Sequence, residues 1–151
     1  DRVLKLLCYR IEKDDYTIEC DTPAELPRVM LDAAGMQQVM LNLVSNAMDA
    51  LAGRAEKKIG IQMRCREGFL DVSISDNGDG IEEDVRRRIF DPFFTTKPPG
   101  QGTGLGLSTA LSIVEDHGGE MHCRSGTGSG TVFTVRLPLA EECEEDRRYA
   151  N

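Results

Sequence analysis

The sequence lacks the cysteine patterns that hold small secreted domains or zinc sites together. Its five cysteines are an odd number, and no two of them form a C-x-x-C pair. This usage argues against a disulfide framework and against a zinc site, and it is typical of a reducing compartment. We therefore expect a cytoplasmic chain.

Long hydrophobic runs and secretion signals are also missing. No apolar run approaches the ~18–20 residues that a membrane span requires, and the first residues lack the charged-then-apolar layout of a signal peptide. The sequence therefore predicts no direct membrane contact by this chain. It begins without methionine on an amphipathic pattern, which we interpret as a fragment of a longer protein. Whether that parent is anchored in the inner membrane stays open.

Basic residues are outnumbered. The chain has 18 Lys and Arg against 26 Asp and Glu, a net charge of −8 and only 5% aromatic residues. No basic run is interleaved with aromatics, so we expect no nucleic-acid partner. Because the net charge is negative, an anionic ligand would need a binding site with local positive charge. The length of 151 residues and the hydrophobic content of 40% suit one domain with its own core.

Two common phosphate-binding motifs are absent. The glycines of segment 100–107 follow a G-x-G-x-G spacing, and no lysine comes directly after them. This spacing excludes both the G-x-x-x-x-G-K-[ST] loop and the G-x-G-x-x-G dinucleotide fingerprint.

Hydrophobic periodicity is present and predicts an α/β sandwich over residues 1–139, followed by an acidic, flexible tail at 140–151. Asp32 is the expected N-cap of the longest helix, and Glu67 and Gly68 are the expected turn of a hairpin. The predicted helices are an N-terminal helix through Ile11, then 32–51, 82–89 and 105–117. The predicted strands are 17–20, 28–31, 57–65, 69–75, 120–124 and 131–137.

The longest predicted helix carries an unusual polar stripe. Gln38, Asn42, Asn46 and Asp49 fall within an arc of roughly 80°. Unpaired buried amides cost about 1–3 kcal/mol each, so this stripe has to meet solvent, internal partners or a polar ligand. A solvated helix face and a ligand-binding face are both consistent with the pattern.

Three glycine-rich segments and one phenylalanine segment follow that helix. Asp76 ends a predicted strand at the start of 76–80, where its carboxylate can face a pocket, although a plain turn is the alternative. Segment 100–107 opens a helix whose free N–H groups favour phosphate. Segment 90–97 either anchors a loop that ends in Lys97 or staples an Ω-loop. Segment 126–131 has a flexible hairpin turn as its alternative.

In this order the segments resemble the ATP-binding catalytic domain of sensor histidine kinases, within the GHKL family that includes gyrase, Hsp90-type chaperones and MutL. The matching boxes are 38–50, 76–80, 90–97, 102–107 and 126–131. The resemblance implies the Bergerat fold, a mixed sheet of about five strands packed on three helices, with ATP held beneath a mobile lid. The sequence of segment 93–97 most resembles that of the nitrogen-regulation branch of sensor kinases.

The resemblance also implies roles for individual residues. Asp76 would accept a hydrogen bond from the adenine amine, helped by a water at Gly80 and Thr131; because a carboxylate only accepts, it disfavours guanine. Asn46 matches the Mg²⁺-binding asparagine, and Lys97 is the expected γ-phosphate contact. The other nucleotide-binding residues implied are Asp49, Ala50, Gly78, Ile81, Phe90, Thr95, Thr96, Gly102, Thr103, Gly104, Leu105, Gly106 and Leu107.

Asn42 stands where ATP-hydrolysing relatives carry a glutamate. Since an amide cannot take a proton at neutral pH, Asn42 favours presenting ATP to another nucleophile. The implied function is transfer of the γ-phosphoryl group of Mg-ATP to a histidine on a separate dimerisation domain, with a response regulator as partner and a homodimeric parent. His117 is expected to cap a helix. The alternatives are a gyrase- or chaperone-type ATPase, a serine-directed anti-sigma kinase, and a nucleotide-binding scaffold.

Overall fold

The computed structural model describes residues 2–98, 100 and 102–140. The strands are β1 (Thr17–Asp21), β2 (Lys58–Arg66), β3 (Phe69–Asp76), β4 (Glu120–Ser125) and β5 (Thr131–Pro138). The helices are α1 (Arg2–Lys13), α2 (Ala33–Ala50), α3 (Glu83–Arg86) and α4 (Gly106–Asp116). The predicted acidic tail at 140–151 lies, except for Ala140, outside the described residues.

The sheet is mixed, and its strand order is β1-β2-β3-β5-β4. β1 is parallel to β2, whereas the remaining neighbours are antiparallel. The register pairs Asp76 of β3 with Thr131 of β5, and Thr131 in turn with Ser125 of β4. Three strands therefore place a polar side chain at the same end of the sheet.

One face of the sheet is apolar and the other is polar, as alternation along the strands predicts. Leu70, Val72 and Ile74 of β3 are buried beneath α2 and α4, together with the core residues of both helices. On the opposite face, Arg136 pairs with Asp71 (Nε to Oδ1, 2.8 Å) and lowers the pKa of that carboxyl. The predicted α/β sandwich is confirmed.

The caps of α2 and α4 are joined by one histidine. Asp32 caps α2 by accepting from the N–H groups of Ala34 (3.0 Å) and Gly35 (2.8 Å). His117 ends α4, where its Nδ1–H donates to the Ile113 carbonyl (2.6 Å) and its Nε2 accepts from the Asp32 N–H (2.8 Å). This bonding assigns the ring proton to Nδ1. Both predicted caps are confirmed, and His117 also ties α4 to the start of α2.

One predicted strand is wrong, and one predicted helix is shorter than expected. Segment 28–31 is not a strand: its apolar residues suggested one, but Met30 is 82% exposed. The Arg28 carbonyl accepts from the N–H of Ala140 (3.0 Å), a residue beyond the end of β5, so this bond is not part of a strand ladder. Helix α3 is shorter than predicted and spans only Glu83–Arg86; the chain then continues in turns, in which the Arg88 N–H donates to the Val85 carbonyl (2.9 Å).

None of the described helices is both long enough and apolar enough to cross a membrane.

Candidate functional site

A cavity of about 840 Å³ opens between α2, the segment after β3 and the described residues of segment 94–106. This volume lies in the range of small-molecule sites. Many of the residues predicted for nucleotide binding line it. They are Asn46, Asp49, Ala50, Asp76, Gly80, Ile81, Thr95, Thr96, Lys97, Gly102, Thr103, Gly104, Gly106, Leu107 and Thr131.

Four predicted residues lie behind or beside the wall. Asn42 donates from Nδ2 to the Gly106 carbonyl (2.9 Å) and accepts from Gln38 (3.1 Å), so its amide links α2 to α4. Phe90 packs edge-on against Phe133 in the core, with ring centroids 6.5 Å apart. Gly78 is buried and Leu105 is 38% exposed just before α4. We therefore see these residues as supports of the cavity rather than parts of its surface.

Sequence reasoning missed several wall residues. The apolar ones follow the same alternation or helical spacing as core residues, so the pattern assigns them to the core. The acidic ones stand in segments where exposed carboxylates are ordinary. The missed residues are Asp79, Glu82, Val85, Ile89, Phe94, Gly100 and Phe133.

Asp76 is the most deeply placed carboxylate in the wall. Its Oδ1 accepts from the N–H groups of Gly78 (2.9 Å) and Thr131 (3.3 Å). Within the described residues Oδ2 accepts no bond, and no buried side-chain oxygen there lacks a partner, so Oδ2 is accessible. Burial raises the pKa of Asp76, while the two backbone donors and Arg54 partly offset that rise. The carboxylate is held in place with one oxygen left for a donor.

Ser125 organises the layer behind Asp76. Its hydroxyl donates to the Gly130 carbonyl (2.8 Å) and accepts from the Ile81 N–H (2.8 Å). The hydroxyl of Thr131, which is only 4% exposed, lies 3.0 Å from Ser125 Oγ and donates to it, since the Ser125 proton is already used. Ser125 thus joins the segment after β3 to the start of β5 under the cavity, a role that nothing in the sequence pattern marks.

Gly80 allows two glycine segments to pack backbone against backbone. Its φ is +77°, and a Cβ there would lie 2.0 Å from the Gly126 carbonyl oxygen. No side chain fits in that space, and an L-residue disfavours that φ. The first and third glycine segments are therefore in direct contact below Asp76.

The opposite end of the cavity is formed by the start of α4. Among the described residues, no side chain caps the start of this helix, and Gly106 and Leu107 of its first turn line the cavity. Uncapped N–H groups at a helix start favour an anion. Just before them, Gly104 lies against Phe93, whose N–H donates to the Gly104 carbonyl (2.9 Å); a Cβ on Gly104 would lie 2.4 Å from the Phe93 carbonyl carbon. This contact fixes the base of the segment that covers the cavity.

Asp49 and Lys97 form an ion pair in the wall. Lys97 Nζ lies 2.6 Å from Asp49 Oδ2, and Arg10 of α1 pairs with Asp49 Oδ1. Burial raises the pKa of Asp49, but the hydrogen bonds from Lys97 and Arg10 outweigh it, so the net pKa is lowered. Asp49 is therefore an ionised carboxylate with a cation on each oxygen.

Asn46 lines the cavity without a hydrogen bond to any described residue. Its amide oxygen is a hard ligand of the kind that Mg²⁺ prefers. In the described part of the chain, no three His, Cys, Asp or Glu side chains cluster in a way that would hold a metal ion. The donor set fits an ion that takes most of its ligands from phosphates and water.

One cavity brings together a strand-end carboxylate and an uncapped helix start, on a mixed sheet with helices on one face. This combination defines a nucleotide-binding α/β domain. The chain belongs to the family described as histidine kinase-, DNA gyrase B- and HSP90-like ATPases, which matches residues 31–141. The family predicted from the glycine segments is confirmed.

The relatives are sensor kinases. The two-component sensor PprA of Pseudomonas aeruginosa is 41% identical over 146 residues, which is 93% of this chain and 16% of PprA. The chain thus spans about a sixth of that relative's length.

Solved structures agree with this placement. The nucleotide-free catalytic domain of histidine kinase ThkA is 37% identical, has a TM-score of 0.80 and is matched over 91% of this chain and 88% of its own. ThkA has also been solved in complex with the response regulator TrrA, at 32% identity and a TM-score of 0.77, matched over 92% of this chain and 39% of that one. Full-length ShkA in complex with AMPPNP is 25% identical with a TM-score of 0.81, over 94% and 29%.

Proposed function

We propose that this chain is the ATP-binding catalytic domain of a two-component sensor histidine kinase. It transfers the γ-phosphoryl group of Mg-ATP to a histidine on a dimerisation domain elsewhere in the parent protein. The observation that carries this proposal is the pairing, in one cavity, of an accessible Asp76 oxygen with the uncapped start of α4. The first suits an amino group and the second suits phosphates.

Adenine is recognised at the Asp76 end. The backbone donors of Gly78 and Thr131 hold Oδ1, so Oδ2 accepts from the exocyclic amine of adenine without reorganisation. The guanine carbonyl in the same position would meet a second acceptor. A charge-assisted hydrogen bond of this kind is worth about 1.5–3 kcal/mol.

The phosphates lie towards α4, where the chain offers three kinds of contact. Bound Mg-ATP supplies the γ-phosphoryl group that is transferred. Asn46 would give Mg²⁺ one protein oxygen, the N–H groups at Gly106 and Leu107 would donate to phosphate oxygens, and Lys97 would contact the γ-phosphate. Positioning and charge neutralisation are the main contributions to phosphoryl transfer.

Asn42 supports transfer over hydrolysis. Its amide is held at both ends, by Gly106 and Gln38, and it cannot take a proton from water. A gyrase- or chaperone-type ATPase needs a side chain that takes a proton from water at this position. Of the rivals, a scaffold without kinase activity is disfavoured because Asn46 and Asp76 both face the cavity.

The parent protein would be a cytoplasmic homodimer or a membrane-anchored one, with a response regulator as its downstream partner. The complex of ThkA with TrrA supports that partner. The paired phenylalanines followed by Thr95, Thr96 and Lys97 support a place in the nitrogen-regulation-like branch.

The test is reconstitution. The 151-residue chain is mixed with the histidine-bearing dimerisation domain of its parent and with ATP labelled at the γ-phosphate. We expect Mg²⁺-dependent label on the dimerisation domain, labile in acid and stable in base as a phosphohistidine is, and strongly reduced with Asp76→Asn. Rapid release of free phosphate without labelled protein would instead favour the ATPase alternative.

A further inference from the structure

Asp49 is the meeting point of three elements that are distant in sequence. Arg10 comes from α1, Asp49 from α2 and Lys97 from the segment that covers the cavity. Each cation takes a different oxygen of the carboxylate. All three side chains are partly buried, with 40%, 33% and 35% of their surface exposed in that order, so the pairs are only partly screened by solvent.

The place of Lys97 decides how much positive charge the cavity offers. Among the described residues in the wall, Lys97 is the cation, and it stands against the carboxylates of Asp49, Asp76, Asp79 and Glu82. The ion pair with Asp49 keeps this ammonium on α2. A γ-phosphate therefore competes with Asp49 for Lys97.

The surroundings of both partners of Asp49 contact other elements. Near α1, the Tyr16 hydroxyl donates to the Met48 carbonyl (2.8 Å), which fixes the chain after α1 beside Asp49. On the other side, a Cβ on Gly102 would lie 3.1 Å from Lys97 Cδ. Lys97 thus packs against the glycine segment, and moving one side chain involves the other element.

Arg10 changes the free energy of releasing Lys97. If Lys97 moves to a phosphate, Asp49 keeps Arg10 and is not left as an unpaired, partly buried carboxylate. Leaving a partly buried charge without a partner is unfavourable, although less so than for a fully buried one. Without Arg10, Asp49 would therefore hold Lys97 more tightly.

We propose that Asp49 and Arg10 are positioning residues that set the preference of this chain for nucleoside triphosphate over diphosphate, by controlling the release of Lys97 to the γ-phosphate. This inference rests on the proposed function. Because Arg10 belongs to α1, a displacement of that helix changes the availability of Lys97 without touching the nucleotide.

The test is a set of calorimetric titrations with Mg-AMPPNP and Mg-ADP. Arg10→Gln should weaken AMPPNP binding about threefold to fivefold and leave ADP binding unchanged, since an ion pair at this exposure is worth up to about 1 kcal/mol. Arg10→Lys should restore most of the affinity. Asp49→Asn should raise the affinity for AMPPNP relative to ADP. In the Asp49→Asn background, Arg10→Gln should leave both affinities unchanged.

The double variant with Lys97→Ala decides the mechanism. In that background, Arg10→Gln should have no effect on the AMPPNP to ADP ratio; an undiminished effect would overturn the inference. Asp79→Asn is the matched control, because Asp79 is also a wall carboxylate with its own arginine partner, Arg54. If Asp79→Asn changes the AMPPNP to ADP ratio as Asp49→Asn does, the change is a general effect of removing a negative charge, and the proposed release of Lys97 is contradicted.

The two levels of failure are separable. Wild type that binds neither nucleotide, or binds both regardless of Asp76→Asn, contradicts the proposed function and the inference with it. Binding that depends on Asp76 but shows no coupling between Arg10 and Lys97 contradicts the inference alone.

Discussion

The two ends of the cavity are built by different means. At the Asp76 end, neighbouring strands and glycine segments meet backbone to backbone, and Ser125 fastens them with neutral hydrogen bonds. At the Lys97 end, an exposed segment is held by the ion pair of Lys97 with Asp49 and by the backbone bond from the Phe93 N–H to the Gly104 carbonyl. The first end is fixed before any ligand arrives, whereas the second holds its charges in a form that a ligand can replace.

This difference matches the ligands that we propose. A base is recognised by direction and shape, so its site gains from rigidity. Phosphates are recognised mainly by charge, and closing over them needs movement. Variants at the Asp76 end should therefore affect stability and binding together, while variants at the Lys97 end should affect mainly binding.

Gly80→Ala should have the largest effect. The added methyl group would lie 2.0 Å from the Gly126 carbonyl oxygen, and alanine would have to adopt a φ of +77°. We therefore expect a loss of about 3 kcal/mol in the free energy of unfolding. Urea denaturation measures it. Gly128→Ala is the matched control, because its φ is +79° and no atom lies within 4 Å; it should cost only about 1 kcal/mol. Equal losses would contradict the backbone contact.

Ser125→Ala should come next. The substitution removes the partner of the Ile81 N–H and of the Thr131 hydroxyl, and unsatisfied groups of this kind cost about 1–3 kcal/mol. The same denaturation experiment applies. Ser129→Ala is the control: this exposed serine makes one local bond within its turn, and its loss should stay within about 0.5 kcal/mol.

A smaller effect concerns pH. Burial raises the pKa of Asp76 in the folded chain, so its contribution to stability is complete below the ordinary carboxyl pKa and is lost as pH rises through the folded value. Asp76→Asn removes this loss. The variant should therefore gain stability relative to wild type as pH rises from the ordinary carboxyl pKa towards neutrality, measured as the difference in melting temperature. If the melting temperature of the variant instead fell relative to that of wild type over this range, ionised Asp76 would be stabilising the folded chain.

The smallest effect on stability is expected at the Lys97 end. Lys97→Ala breaks a partly exposed ion pair, and Asp49 keeps Arg10, so the free energy of unfolding should fall by no more than about 1 kcal/mol. Thermal melting without nucleotide measures it. A loss as large as that of Ser125→Ala would mean that both ends are equally rigid.

Much of this architecture is predictable from local sequence. Asp32 marks the start of α2, the turn at Glu67 and Gly68 marks the hairpin, and Asp76 stands at the end of its strand. Each of these signals lies within a few residues of the feature it controls. That is why they hold in the structure without knowledge of the tertiary contacts.

Other features depend on contacts that the sequence does not show. Ser125 matters because the register of β3, β4 and β5 brings it under Asp76. Arg10 and Asp49 are 39 residues apart, and no pattern links them. Segment 28–31 has the apolar residues of a strand but does not pair as one, since pairing depends on a free sheet edge at the right place rather than on local preference.

The most direct test of the account is calorimetric titration of wild type and Asp76→Asn with ATP and GTP in the presence of Mg²⁺. We predict that wild type binds ATP in preference to GTP and that the variant loses about 10- to 100-fold in ATP affinity, as expected for a charge-assisted hydrogen bond. Equal affinity for the two nucleotides, or a variant that binds ATP as wild type does, would contradict the assignment of Asp76 as the adenine-recognising residue.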